Sequence, residues 1–193
     1  MQRRSSFVRT KAKNVEAPDV KDLTSTSFGY IIAFLLPGLL GLYAMSYWSS
    51  RASELIGPAL KAEANVGPSI ILLLIALGIG LCVSALRFFL FEKLLCRAHT
   101  FPADMFSKLR AEGRLTSFKA VVDEHYRYHQ FYGGCAVAVL ILYAGWLRHA
   151  FQDIDLGFLL VTAAFGLFEW LTVATAKDAF VRYVQRGTII VNG

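Results

Sequence analysis

The chain has 193 residues, of which 55% are hydrophobic and 18% are charged, and its formal net charge is +6. Soluble domains carry about 25% charged residues, so this composition argues against a water-soluble domain. The length suffices for one membrane domain and is too short for a second sizeable fold. The three cysteines, Cys82, Cys96 and Cys135, include no close pair and give no disulfide framework.

The first 26 residues contain six basic and three acidic side chains and no apolar run. We expect residues 1–26 to form a flexible, basic, cytoplasmic tail that lies on anionic lipid headgroups. Proteins that bind nucleic acid interleave basic residues with aromatic ones, and Phe7 is the only aromatic residue in this segment. We therefore expect no nucleic-acid partner.

Four apolar runs follow. The second run carries no charge from Ser69 to Leu86. A helix needs about 20 mostly apolar residues to cross the hydrocarbon core of a bilayer. Four buried helices with so little polar covering would leave a large apolar surface in water. The sequence thus predicts an all-α integral membrane protein, a four-transmembrane-helix antiparallel bundle over residues 27–176. The predicted spans are residues 27–48, 69–91, 131–147 and 156–176.

Small residues and a proline recur every fourth position in the first two spans, which gives each helix a smooth face for close packing. These residues are Ala33, Pro37 and Gly41 in the first span and Ala76, Gly80 and Ser84 in the second. We expect the two spans to pack along these faces, with a kink at Pro37.

The segments between and after the spans differ in their predicted secondary structure. Residues 49–68 predict a short loop, in which Pro58 limits any helix to a few turns. Residues 92–130 predict a helical hairpin, with one helix ending near Gly113 and a second running from about Thr116 into the third span. Residues 177–193 predict an interfacial helix followed by a short β-prone tail.

The distribution of basic residues predicts the orientation. The N-terminal tail, the 92–130 segment and the C-terminal tail together hold sixteen Lys and Arg, whereas the two opposite loops hold three. The positive-inside rule then places both termini and the 92–130 segment in the cytoplasm. A bacterial inner membrane is our working assumption for the host membrane.

Two ionisable residues fall inside the apolar spans, both toward the cytoplasmic side. Because an isolated charge at that depth costs about 2.5–3.5 kcal/mol, Arg87 and Glu169 are predicted to pair, with the Thr172 hydroxyl in support. The pair would lock two helices together. The alternative is a lining position for ions or protons, or a lipid headgroup site.

A second group of polar residues has zinc-like spacing: Cys96 and His99, then His125 and His129. About 25 residues separate its halves, and the second half also reads as an interfacial helix with tyrosine and histidine at headgroup level. We therefore assign no metal and no cofactor, and keep these four residues as the candidates should a metal bind.

Sequence motifs of enzymes are missing, since the chain has no nucleophile elbow and no phosphate-binding loop. The leading hypothesis is a non-enzymatic membrane subunit or scaffold that docks a cytoplasmic partner through residues 92–130 or associates with itself. The alternative is a homo-oligomeric, channel-like effector. In architecture alone, the layout resembles membrane components of bacterial multiprotein systems, including defence systems. A membrane-embedded enzyme is a distant third.

Overall fold

A computed structural model describes residues 20–60, 66–111, 113–151 and 154–192. This part of the chain is 89% helical and contains no strand, which confirms the all-α class. The elements in chain order are α1 (Val20–Ser46), α2 (Ser50–Leu60), α3 (Val66–Arg87), a first π-helical segment (Phe88–Leu95), α4 (Met105–Ala111), α5 (Leu115–Val121), a second π-helical segment (Val122–Tyr126), α6 (Arg127–Ala150) and α7 (Leu156–Asn192).

Three continuous helical stretches in the described residues are long and apolar enough to cross a membrane: Val66–Leu95, Leu115–Ala150 and Leu156–Asn192. They contain the predicted second, third and fourth spans. The apolar stretch found in α1, Ile32–Ser46, is shorter than these three.

One predicted boundary near the N-terminus is wrong. Helix α1 begins at Val20, so residues 20–26 are helical and do not belong to a flexible tail. Residues 1–19, which carry most of the basic side chains expected to meet lipid, lie outside the described residues. Helix α2 lies within the predicted loop, residues 49–68, and its 11 residues correspond to the few helical turns expected there.

The predicted β-prone tail is also wrong, because α7 continues unbroken for 37 residues to Asn192. At 1.5 Å per residue this helix is about 55 Å long, well beyond the thickness of a bilayer core. Phe180, Val184, Gly187 and Val191 are buried along one stripe at helical spacing. Packing of this stripe overrides the strand preference of the terminal Thr-Ile-Ile-Val sequence.

The end of α7 packs on the polar middle segment, and together they form a unit that we call the cap (residues 96–126 and 177–192). Its core contains buried Met105, Leu109, Phe118 and Val191. Helices α4 and α5 fall in the segment predicted to form a helical hairpin. Gly113, which lies between them, has φ 66°, the left-handed conformation that ends a helix.

Helix α6 is the centre of the apolar bundle and contacts α1, α3 and α7. Its residues 133–139 are all buried. A run of small residues, Gly-Gly-Cys-Ala-Val-Ala-Val, explains this burial, because small side chains let neighbouring helices approach from several directions.

The predicted packing of the first two apolar helices is present, with a changed register on α1. The backbones of α1 and α3 touch where Gly38 meets the Ala76 carbonyl and Gly80 meets the Phe34 carbonyl. Gly41 also faces α3, with Ile79 and Val83 as its nearest neighbours. The other two residues of the predicted packing face on α1 face α6 instead.

Pro37 and Ala33 turn toward α6 rather than α3. A Cβ built on Gly134 of α6 would lie 3.1 Å from Pro37 Cγ. Ala33 borders a cavity that it shares with Tyr128 and Phe131 of α6. The four-residue spacing therefore marks a helix-packing face without telling which neighbour occupies it. The last residue of the predicted packing faces, Ser84 of α3, is partly buried.

We predict that Gly80→Ala destabilises the protein by about 1–3 kcal/mol, because its methyl group would overlap the Phe34 carbonyl, a backbone atom that cannot rotate away. Gly78→Ala is the matched control, since a Cβ there meets nothing within 4 Å. That change should leave stability equal or up to about 1 kcal/mol higher. Thermal unfolding in detergent compares the two variants, and equal effects would refute the close contact.

Candidate functional site

A buried ion pair lies where the apolar bundle meets the cap. Arg87 Nη1 donates a hydrogen bond to Glu92 Oε1 at 3.0 Å, and the two side chains are 3% and 17% exposed. Since removing either charge would leave the other buried without its partner, the pair constrains the local structure strongly.

The first π-helical segment explains why these two residues meet. Arg87 and Glu92 are five positions apart, a spacing that places two side chains on different faces of an α-helix. The wider π-helical turn, closed by bonds such as Cys96 N to Phe91 O at 2.7 Å, brings position i+5 back to the same face. It also shifts the buried stripe, so that Cys96 is buried while Leu94 is 71% exposed.

Glu92 has two further neighbours, one at the end of the second π-helical segment and one in the first turn of α6. The Tyr126 hydroxyl donates a hydrogen bond to Glu92 Oε1 at 3.1 Å. His129 Nε2 faces the same oxygen at 3.8 Å. Tyr126 ends the second π-helical segment, so both departures from α-helical geometry contribute to this one cluster. Such segments are frequent at functional sites.

His129 connects the cluster to α7. Its ring is fully buried, and Nδ1 lies 2.8 Å from the Ala176 carbonyl oxygen. A carbonyl only accepts, so Nδ1 carries the proton and donates. The ring also packs against Phe180, with centroids 4.8 Å apart. The cluster therefore joins α3, α6 and α7 at one level.

Gly133 makes room for Arg87. A Cβ built on Gly133 would lie 2.9 Å from Arg87 Cγ, so the aliphatic stem of the arginine crosses directly over the α6 backbone. The arginine head then reaches Glu92 and stacks over Tyr126, with its guanidinium carbon 5.9 Å from the ring centroid. A larger residue at position 133 would displace this stem.

A cavity of about 680 Å³ opens beside the ion pair. Its walls are largely aromatic, and its polar lining includes two basic side chains and one carboxylate. The lining includes Phe88, Phe101, Tyr126, Phe180 and Tyr183, and the polar residues Glu92, Lys93, Arg97, His99 and Thr100. The size lies within the usual range for small-molecule sites, about 300–1,000 Å³.

The predicted Arg87–Glu169 pair is not formed. Arg87 pairs with Glu92, and Glu169 borders a separate cavity of about 220 Å³ between α6 and α7. Glu169 Oε2 is buried and has no hydrogen-bond partner in the described residues. The Thr172 hydroxyl does not reach the Glu169 carboxylate, since it donates to the backbone carbonyls of Phe168 and Glu169 at 3.0 Å.

The four metal candidates take separate roles. Cys96 packs with Phe180 and Val184, and burial raises the pKa of its thiol, which disfavours the reactive thiolate. His99 borders the cavity, His125 lies 3.8 Å from Glu124, and His129 bonds Ala176. Within the described ranges, no group of three or more His, Cys, Asp or Glu side chains is arranged to hold a metal ion.

No family model, curated protein or solved structure matches the chain. Sequence reasoning missed Glu92, Lys93 and Arg97 as site residues. Glu92 was hidden because its i+5 spacing from Arg87 is meaningless in an α-helix, and the sequence carries no clear signal of a π-helical turn.

A double-mutant cycle tests the ion pair. We predict that Arg87→Met costs about 1–3 kcal/mol of stability, because it leaves the partly buried Glu92 carboxylate without its charged hydrogen-bond donor. Combining Arg87→Met with Glu92→Gln should show a coupling of about 0.5–3 kcal/mol, whereas combining it with Glu169→Gln should be additive within about 0.5 kcal/mol. Denaturation in detergent gives both values. Stronger coupling to Glu169 would reverse the assignment.

Proposed function

We propose that the chain is an integral membrane protein with four spans, with both termini and the cap in the cytoplasm. Burial within the chain supports this, because the most apolar windows of Val66–Leu95 and Leu156–Asn192 are only 17% and 6% buried. Such faces need lipid or another apolar surface to cover them. Helix α1, at 27 residues, is about 40 Å long and would supply the fourth span.

The function that we propose is non-enzymatic: the cap docks a protein partner at the membrane surface. One observation carries this proposal. Three large apolar side chains project from the cap, with Phe106 76%, Leu115 62% and Ile189 69% exposed. In the proposed orientation they lie beyond the hydrocarbon, where lipid chains cannot cover them, so a protein surface is the natural cover.

The cap is built to transmit such an interaction. Its cores join α4 and α5 to the end of α7, and α5 continues through the second π-helical segment into α6. A partner bound to the cap would therefore act directly on two of the proposed spans. Basic residues are in excess on the proposed cytoplasmic side. This excess would suit an anionic membrane, such as a bacterial inner membrane, and a partner with an acidic surface.

A specific observation favours a second candidate, a homo-oligomeric channel-like assembly. Glu169 lies on the most exposed of the long apolar helices and lacks a side-chain partner within the described structure. A second copy could supply the missing donor, since a lone carboxyl in hydrocarbon is unfavourable. The single spans are too apolar to hold water alone, so conduction would require this assembly. Silent bilayer recordings from folded protein would exclude it.

Reporter fusions test the number of spans. We expect a reporter at either terminus to be active in the cytoplasm, because four crossings return the chain to the side on which it starts. A fusion in α2 after Ser53 should report the opposite side. Three crossings would place the two termini on opposite sides, and that result would remove α1 from the set of spans.

Site-specific photo-crosslinking in native membranes tests docking. A crosslinker at Phe106 or Leu115 should give adducts with the same partner. The neighbouring exposed positions Ser107 and Thr116 serve as controls on the same helices and should give much less. Adducts only between copies of this chain would favour the oligomeric candidate, and no adduct at any position would count against docking.

A further inference from the structure

The cavity beside Glu92 has unpaired positive charge at its rim. Lys93 and Arg97 are both exposed, and neither forms an ion pair with a carboxylate in the described ranges. The charge of Glu92 is already matched by Arg87 at 3.0 Å. The cavity therefore has an excess of positive charge, and an anion is its complementary ligand.

The aromatic walls of the cavity indicate that its ligand also has an apolar part. Five aromatic rings line it, and Phe101, Tyr126 and Phe180 each pack against Tyr183 with centroids 5.0–6.1 Å apart. The Lys93 ammonium lies 5.7 Å from the Phe88 ring centroid, which holds the charge over an apolar surface. An aromatic wall with a cationic rim suits a molecule that has an anionic head and an apolar body.

The position of the cavity indicates where such a molecule would come from. Phe88 begins the first π-helical segment at the end of the apolar α3, and it is 38% exposed while lining the cavity. Leu94 and Leu95, on the same segment, point outward and are 71% and 53% exposed. The cavity thus borders the apolar outer surface of the bundle on one side and the cap on the other, which in the proposed orientation is the level of lipid phosphates.

We propose that this cavity binds the phosphate headgroup of an anionic phospholipid. Lys93 and Arg97 contact the phosphate, and the buried Nδ1 of His99, which lacks a partner in the described residues, adds a polar contact. Phe88 and Phe101 cover the apolar part of the lipid next to the headgroup. The inference rests on the proposed membrane embedding, because a lipid reaches the site only from the bilayer.

The test uses the full chain in nanodiscs of zwitterionic lipid, with and without an anionic phospholipid. Native mass spectrometry counts retained lipid, and thermal unfolding gives the affinity. We expect one retained anionic phospholipid on the wild type and an affinity loss of about 30-fold in Lys93→Gln/Arg97→Gln, from two basic contacts near an anionic surface. Both side chains are exposed, so this variant should fold, as circular dichroism would verify.

The matched control is Arg110→Gln/Lys119→Gln, which removes the same two residue types from exposed positions of the cap outside the cavity. It should lose less than about threefold in affinity, and equal losses in both variants would show a diffuse surface effect and overturn the proposal. A parallel arm titrates inorganic phosphate in detergent. Stabilisation by free phosphate without any by anionic lipid would assign the site to a soluble phosphate and overturn the lipid.

Failure of the embedding and failure of the lipid site are distinguishable. A chain that the terminal reporters show to be inserted but that retains no anionic phospholipid overturns this inference alone. A chain that does not insert overturns the proposed function, and this inference with it.

Discussion

The structure depends on one buried ion pair, Arg87 with Glu92, at the level where the apolar bundle ends and the cap begins. Taking two charges out of water costs several kcal/mol for each ion, and the attraction between them offsets this only with further hydrogen bonds. Tyr126 supplies one of these bonds, and the Arg87 guanidinium lies over the Tyr126 ring. The pair itself lies within one helical stretch, but both of its members contact Tyr126, and these contacts form only when α3 and the segment leading into α6 are in register. The cluster as a whole therefore contributes specificity.

The glycine contacts explain how that register is reached. Gly38 and Gly80 allow α1 and α3 to touch through their backbones, and Gly133 allows the Arg87 stem to cross α6. Helices that approach this closely cannot slide without overlap. Helices α1 and α3 are thus fixed by backbone contact, and α6 by side chains that cross its glycines. In contrast, α7 is held in the bundle mainly by α6 and by the hydrogen bond from His129 to the Ala176 carbonyl.

The difference in packing between the inner helices and α7 is relevant to the proposed function. The inner helices are closely packed, while α7 exposes most of its apolar surface and extends into the cap. In the proposed function, α7 would couple a partner bound to the cap to whatever covers its apolar face. The cap and the cavity beside Glu92 concentrate the polar groups that lie outside structural pairs. The proposed docking and lipid-binding sites therefore fall on one end of the molecule, and Glu169 remains as a separate feature on the side of the bundle.

The sequence by itself determined the all-α class, the positions of the three long apolar helices, the continuation of α5 into the third of the predicted spans, and the small-residue face of α3 around Gly80. Each depends on local composition or on a helical period, and both can be read from neighbouring residues. The sequence also indicated that Arg87 needs a partner, because a buried charge cannot stand alone.

Only the tertiary structure decided which partner that is. Glu92 becomes available through a π-helical turn, which adds a residue to the helix without any distinctive composition. The helical end of α7 likewise depends on packing of Val184 and Val191 into the apolar cores of the cap, and this packing outweighs the local preference for strand. The cavity joins residues from three chain segments that are distant in sequence, and its cationic rim is recognisable only once the ion pair has neutralised Glu92. Contacts of that kind follow from the arrangement of whole helices in space, which no local pattern records.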